Sequence, residues 1–147
     1  MEITRLTSAA QNALRLGRTL HAVFLLVALL DLWLPLMVIH VDTQGVAIQI
    51  VGAFGFVALS NVGLAIYFRS RDVQPCSETL RRNPDDTDAA AKWRRGVILS
   101  LVFCISIVLL GLALRIIGAA WSLAGVFYAV GILLMLAWWP KLDLPPQ

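Results

Sequence analysis

The chain has 147 residues, of which 59% are apolar and only 14% are charged, with a formal net charge of +3. Soluble domains are usually about 45–50% apolar and about 25% charged, because a chain folded in water needs a charged surface. The composition therefore excludes an ordinary soluble domain and favours a chain whose apolar segments lie in a lipid bilayer.

Four apolar segments predict helices long enough to cross a membrane, for which about 20 apolar residues suffice. The first two segments are separate runs of apolar residues. The last two lie in one run from about residue 96 to 139, which would be about 66 Å long as one helix, twice the thickness of the hydrocarbon core. This run must turn back, and the predicted place is RIIGAA, which holds Arg115 and a glycine. The sequence thus predicts an all-α, single-domain integral membrane protein, a four-transmembrane-helix bundle with spans near residues 20–40, 45–68, 96–115 and 119–139.

Residues 2–18 precede the first span and place apolar side chains at helical spacing, with Arg5 and Arg15 elsewhere. This pattern predicts a short N-terminal interfacial helix that lies on the inner membrane surface. The alternative is that the segment is simply the first turns of span one.

Basic residues predict the orientation of the chain, because Lys and Arg in short loops accumulate on the cytoplasmic side. The short connection between spans one and two has no Lys or Arg, whereas the residues before span one and the segment 69–95 are rich in them. Both termini and a cytoplasmic loop at 69–95 are therefore expected inside the cell, with the spans in the plasma membrane (the inner membrane of a bacterium). Orientation and lipid headgroups account for the basic residues, so no nucleic acid is expected as a partner.

The segment 69–95 also contains a predicted helix start. Asn83 can cap, Pro84 is tolerated at the first helical position, and the acids that follow suit the positive end of the helix dipole. The third helix is therefore predicted to begin near Pro84 and to project from the membrane before span three.

Neither cysteines nor histidines predict a cofactor. Cys76 and Cys104 lie in different environments on a reducing side, and no CxxC or Cys/His pair is present, so neither a disulfide nor structural zinc is expected. His21 and His40 lie at opposite ends of one predicted helix and cannot share a metal or a haem.

Asp31 lies in the middle of the first span, four residues before Pro35. A carboxylate at this depth costs several kcal/mol unless it is protonated, paired or hydrated. Pro35 has no N–H to donate to the carbonyl of Asp31, so the same residue carries a second unsatisfied acceptor at a predicted helix kink. Both groups need partners, because lipid offers no hydrogen bonds.

Depth along each span predicts the partners of Asp31. Ser106 and Tyr128 fall level with it, Asn61 lies on the cytoplasmic side, and Arg115 is a possible outer ion-pair partner about 13 Å away at helical rise. We expect a midplane polar cluster of these side chains. It would either hold helices together through hydrogen bonds or form a proton or cation site at a broken helix.

Small residues predict helix packing, because they let backbones approach closely in lipid. Gly52, Gly55 and Gly63 share one face of span two, and Gly125 and Ala129 form a small-xxx-small pair in span four. These faces serve either the internal bundle or contact with another membrane protein.

Three classes of function follow. The first is a non-enzymatic accessory or anchor subunit, or a homo-oligomeric membrane component, whose partners are the lipid bilayer and either copies of itself or a larger membrane protein. The second is an oligomeric proton- or cation-coupled transporter or channel that uses Asp31. An integral-membrane enzyme is the weakest, since no nucleophile–base pair, metal cluster or phosphate loop is visible.

Overall fold

The structure is a computed structural model that describes the backbone of residues 9–37 and 48–141, and their side chains except those of residues 35–37. Within these ranges every regular element is a helix. The helices are α1 (Ala9–Met37), α2 (Ile48–Phe68), a π-helical turn (Arg69–Val73), α3 (Gln74–Arg82), α4 (Thr87–Ile116) and α5 (Trp121–Ala137).

The helices share two ends. The first, here called the basic end, holds the start of α1, the end of α2, all of α3 and the start of α4. A hydrogen bond from the Ala10 N–H to the Pro84 carbonyl, 3.0 Å, ties the first turn of α1 to the loop before α4. At the opposite end lies the turn between α4 and α5. The predicted loop between spans one and two lies outside the described residues.

Helix α4 is the central element, since α1, α2, α3 and α5 all pack against it. Helices α1 and α4 run parallel, whereas α2 and α5 are antiparallel to α4. The buried side chains of the bundle lie mainly along α4 and on the faces of α1 and α5 that meet it. Helix α2 packs on α4 without an extensive contact to α1. Only 6% of the 18-residue apolar stretch that includes α2 is buried inside the protein.

Helix α1 is continuous from Ala9 through the predicted first span. Its first turns pack against α4 through small buried side chains, among them Ala10 and Ala13, and Gly17 lies against Trp93. The described part of the predicted interfacial helix is therefore the beginning of a long helix, which was the alternative reading. Residues 1–8 of that prediction lie outside the described part of the chain. Trp93, whose type favours membrane interfaces, is instead completely buried.

The predicted loop at residues 69–95 is largely helical. Helix α2 continues through the π-helical turn into α3, and α4 begins at Thr87. The prediction that α4 starts near Pro84 with Asn83 as its cap is displaced by one turn. Asp86 is the N-cap, and its Oδ1 accepts the Ala89 N–H at 2.9 Å.

The turn between α4 and α5 falls within the predicted RIIGAA segment. Gly118 has φ 92°, and the Ala119 N–H donates to the Leu114 carbonyl at 2.9 Å while the Gly118 N–H donates to the Arg115 carbonyl at 3.1 Å. This pair of bonds is a Schellman motif, which satisfies the last carbonyls of α4 and requires a left-handed residue that glycine supplies without strain. The 44-residue apolar run is thereby divided into two helices.

Three helical stretches are long and apolar enough to cross a membrane, and they correspond to α1, to α2 with its continuation, and to α4. Helix α5 is also apolar but has 17 residues, about the shortest length that spans the hydrocarbon core. The described chain is thus a helical protein with the dimensions of a membrane protein.

Candidate intramembrane polar site

Asp31 lies on α1, beside Tyr128 of α5. The Tyr128 hydroxyl donates a hydrogen bond to the Asp31 backbone carbonyl at 3.3 Å. This carbonyl is the one that Pro35 leaves without its helical N–H donor. Helix α1 continues through Pro35 to Met37, so the proline does not end it. The side chain of Pro35 lies outside the described residues. The backbone stays helical past Pro35, and the free carbonyl of Asp31 accepts its hydrogen bond from Tyr128 of α5.

The carboxyl group of Asp31 has a buried oxygen, Oδ2, that no described residue hydrogen-bonds. The residue as a whole is half-buried. A carboxyl oxygen removed from solvent and without a donor favours either the protonated acid or a bound cation or proton donor.

Arg115 is 95% buried at the far end of α4, with 5% of its surface exposed. Its Nη1 donates to the Ala119 carbonyl at 2.6 Å, and its guanidinium lies 4.8 Å from the centre of the Trp121 ring. Among the described residues no ion pair joins Arg115 to Asp31. The predicted outer ion pair is therefore not formed, because the turn carbonyl and the indole ring hold the guanidinium at the end of the bundle.

Tyr128 lies between the two charged residues. Its hydroxyl is bonded to the Asp31 carbonyl, and its ring centre is 6.2 Å from that of Trp121, over which Arg115 lies. Asp31, Tyr128, Trp121 and Arg115 thus follow one another from the last third of α1 to the turn after α4. We call these four residues the polar string.

Ser106 and Asn61 do not join this string. The Ser106 hydroxyl donates to the Val102 carbonyl of its own helix at 2.8 Å, a local bond that is common for hydroxyls inside helices. Asn61 is half-buried on α2, which packs on another side of α4 from α1. The predicted depth in the membrane is the same for Tyr128 and Ser106. Only the Tyr128 side chain reaches Asp31, where it bonds to the backbone carbonyl.

The sequence reasoning missed a second buried cluster, nearer the basic end. His21 of α1 is completely buried, and its ring centre lies 4.7 Å from that of Trp139 in an edge-to-face arrangement. Arg69 reaches from the end of α2 to the end of α5, where Nη1 donates to the Trp138 carbonyl at 3.5 Å and the guanidinium lies 5.4 Å from the ring centre. The Ser100 hydroxyl donates to the Gly96 carbonyl at 2.8 Å and approaches the Ala65 carbonyl at 3.4 Å.

One signal in the sequence pointed to this cluster. His21, Arg69 and the Trp138–Trp139 pair all fall at the same ends of predicted spans, and each can serve either an interface or a contact between helices. Only packing distinguishes these roles. The residues that follow α5 meet His21 of α1 and Arg69 of the π-helical turn, so these amphipathic side chains contact each other.

The predicted packing glycines face outward. A Cβ atom added at Gly52, Gly55, Gly63 or Gly125 would meet nothing within 4 Å, and Ala129 is exposed. The close crossings inside the bundle occur instead at Gly17, Gly96, Gly111 and Gly131, where an added Cβ would lie 3.2 Å or less from a neighbouring atom. The glycine faces were predicted to serve either the internal bundle or contact with another membrane protein. The described contacts do not support a role of these glycines inside the bundle.

Within the described residues no group of three or more His, Cys, Asp or Glu side chains is arranged to hold a metal ion. Comparison of the chain with known proteins finds no family model, no curated protein and no solved structure that matches it.

Proposed function

We propose that the chain is a non-enzymatic integral membrane subunit that packs against another membrane helix through the outward face of α2. In this proposal the four apolar helices cross the plasma membrane, with both termini and residues 69–95 in the cytoplasm. The partner is a second copy of the chain or a larger membrane protein.

The observation that carries the proposal is the open face of α2. Only 6% of its 18-residue apolar stretch is buried within the chain. Its three glycines are Gly52, Gly55 and Gly63, and a Cβ atom added at any of them would have no neighbour within 4 Å. In lipid, helix association depends on van der Waals contact between backbones that approach closely, and small residues permit it. A helix that fits closely on its own bundle would carry its glycines inward, as α4 does with Gly96 and Gly111 and α5 does with Gly131.

Leucine substitutions on this face test the proposal. The variants Gly52→Leu and Gly63→Leu add bulk where the chain itself has open space, so the monomer should keep its fold while association is lost. Leu64→Ala is the matched control, because Leu64 is an exposed side chain of the same helix. Cross-linking in native membranes, followed by size analysis, reports both a second copy and a larger partner. Association that survives both leucine variants would overturn the proposal.

A second candidate function is transport of a proton or cation at Asp31. It is favoured by the buried Asp31 Oδ2 that lacks a described partner. It is also favoured by the nearby Tyr128 hydroxyl, which is bonded to the backbone of the same residue.

A flux assay in proteoliposomes separates the two functions. If Asp31 binds the transported ion, the wild-type chain conducts a pH-dependent flux that Asp31→Asn abolishes while the helical content is retained. If Asp31 is a structural residue, the wild type conducts nothing and the substitution changes only the stability of the fold.

A further inference from the structure

An apolar groove runs between α2 and α5, with α4 as its floor. Its walls include Gly55, Leu59 and Val62 of α2 and Val126 and Val130 of α5, over Ile107 of α4, and no polar atom lines it. The groove exists because α2 and α5 both pack on α4 without extensive contact with each other. We call it the α2–α5 groove.

The groove has a volume of about 220 Å³ and extends about 10 Å along α2, from Gly55 to Val62 at 1.5 Å per residue. Its lining follows two turns of α2 and one turn of α5. The groove is therefore elongated along the helices and suits a hydrocarbon chain that lies parallel to them.

Arg69 lies at the basic end of this groove, seven residues or about two turns beyond Val62 along α2. There it bridges α2 and α5 by donating to the Trp138 carbonyl at 3.5 Å, with its guanidinium 5.4 Å from the centre of the Trp138 ring. The guanidinium has five N–H donors, and among the described residues this single long bond is its only hydrogen bond. The residue is half-buried, so part of its surface is exposed.

We propose that the α2–α5 groove holds an acyl chain of an anionic phospholipid whose phosphate is bound by Arg69. The apolar walls match the hydrocarbon, and the free donors of the guanidinium match the phosphate, for which its planar fork has the right geometry. Basic pockets between membrane helices bind anionic headgroups in this way. The phosphate lies at the end of α2, at the depth where a headgroup meets the apolar chain.

Lipid binding by the purified full-length chain tests the proposal. Native mass spectrometry after exchange into phosphatidylglycerol or phosphatidylcholine with the same acyl chains measures how much of each lipid stays bound. The wild type should retain phosphatidylglycerol in preference. Loss of a charge-assisted bond should reduce this preference about tenfold in Arg69→Gln, whereas Arg81→Gln, which removes an exposed arginine of α3, should leave it unchanged.

A second pair of variants tests the groove independently of the charge. Val130→Trp places a ring in the groove and should abolish retention of both lipids, whereas Leu133→Trp, at an α5 position that is 63% exposed and outside the groove, should not. Equal retention of the two lipids by the wild type, or equal effects of the two tryptophan variants, would overturn the proposal. So would cross-linking of Val130→Cys to another protein instead of lipid. Gly52 and Gly63 lie outside the lining of the groove, so the leucine variants at these two positions and the groove variants distinguish a failure of partner binding from a failure of lipid binding.

Discussion

Pro35 cannot donate a backbone N–H, and the carbonyl left free at Asp31 accepts the Tyr128 hydroxyl at 3.3 Å. The proline on α1 thus creates an acceptor that α5 satisfies, which joins two helices where lipid offers no alternative donor. Arg115 follows the same rule, since its guanidinium is bonded to the Ala119 carbonyl and lies over the Trp121 ring. Among the described residues, five buried polar atoms have no hydrogen-bond partner, namely both ring nitrogens of His21, Asp31 Oδ2, Trp93 Nε1 and Arg115 Nε. Backbone carbonyls and aromatic rings therefore satisfy only part of the buried polar groups.

The variant Tyr128→Phe removes the hydroxyl and leaves the Asp31 carbonyl without a donor. We expect the free energy of unfolding to fall by about 1 kcal/mol, as is typical of single hydrogen bonds in water and in membranes. Unfolding of the purified chain by sodium dodecyl sulfate, followed by circular dichroism, measures the change. Tyr67→Phe is the control, because the Tyr67 hydroxyl accepts from Arg71 at an exposed site, and its loss should cost less than about 0.5 kcal/mol. Equal losses in the two variants would contradict the interpretation.

Cys76 of α3 should react slowly with thiol reagents. Burial raises the pKa of its thiol, Asp72 and Asp86 raise it further, and Lys92 opposes them. Only the thiolate reacts, so a raised pKa lowers the reactive fraction at pH 7 and the rate should rise about tenfold per pH unit until the pH passes the pKa. Maleimide labelling of the Cys104→Ala variant measures the rate at Cys76 alone.

The control for this prediction is the same chain unfolded in detergent, where the thiol should react faster at pH 7. Asp72→Asn should increase the rate in the folded chain, because it removes a nearby negative charge, and Lys92→Gln should decrease it. Identical rates in folded and unfolded chains would show that the surroundings of Cys76 do not matter.

Helices α4 and α5 cross closely where glycines replace side chains. A Cβ at Gly131 would lie 2.5 Å from Val108 Cγ2 and 3.0 Å from the Cys104 carbonyl oxygen, and a Cβ at Gly111 would lie 3.1 Å from the Ala124 carbonyl oxygen. Backbone atoms cannot move aside as a side-chain tip can. The absence of a side chain at Gly111 and Gly131 therefore allows the short distance between these two helices, because backbone atoms of the opposite helix lie where a Cβ would be.

The matched variants Gly131→Ala and Gly125→Ala separate an inward glycine from an outward one on the same helix. Gly131→Ala should destabilise the chain by about 1–3 kcal/mol, since overpacking moves the helices apart. Gly125→Ala should leave the stability unchanged or raise it slightly, because nothing lies within 4 Å of its Cβ and alanine favours helix. Detergent unfolding of both variants measures the difference, and the reverse order of stability would contradict the described crossing.

The bundle is organised around α4, which packs against every other helix. At the basic end, α1 and α4 extend together, tied by the Ala10–Pro84 hydrogen bond, and α3 packs on α4. The chain therefore has a helical extension at the end where most of its arginines lie. This end is the one that the distribution of basic residues predicts to be cytoplasmic.

Labelling in intact cells tests the orientation. A membrane-impermeant maleimide should not modify Cys76 in intact cells, and should modify it in inside-out vesicles at raised pH, where the thiolate fraction is larger. The control is a cysteine placed in the connection between α1 and α2, for example at Thr43, which should react in the opposite pattern. Modification of Cys76 from outside intact cells would reverse the proposed orientation.

The sequence by itself determined the helical class, the apolar helices and the turn in the long apolar run, because composition, run length and a glycine beside a charge are local properties. It also indicated that the carbonyl of Asp31 needs a donor, since the effect of proline acts within one helical turn. The tertiary structure decided that Tyr128 supplies it, that Ser106 bonds to its own helix and that Gly131 faces inward while Gly125 faces outward. These outcomes depend on how each helix is rotated about its axis, and in a uniformly apolar helix no hydrophobic face in the sequence fixes that rotation.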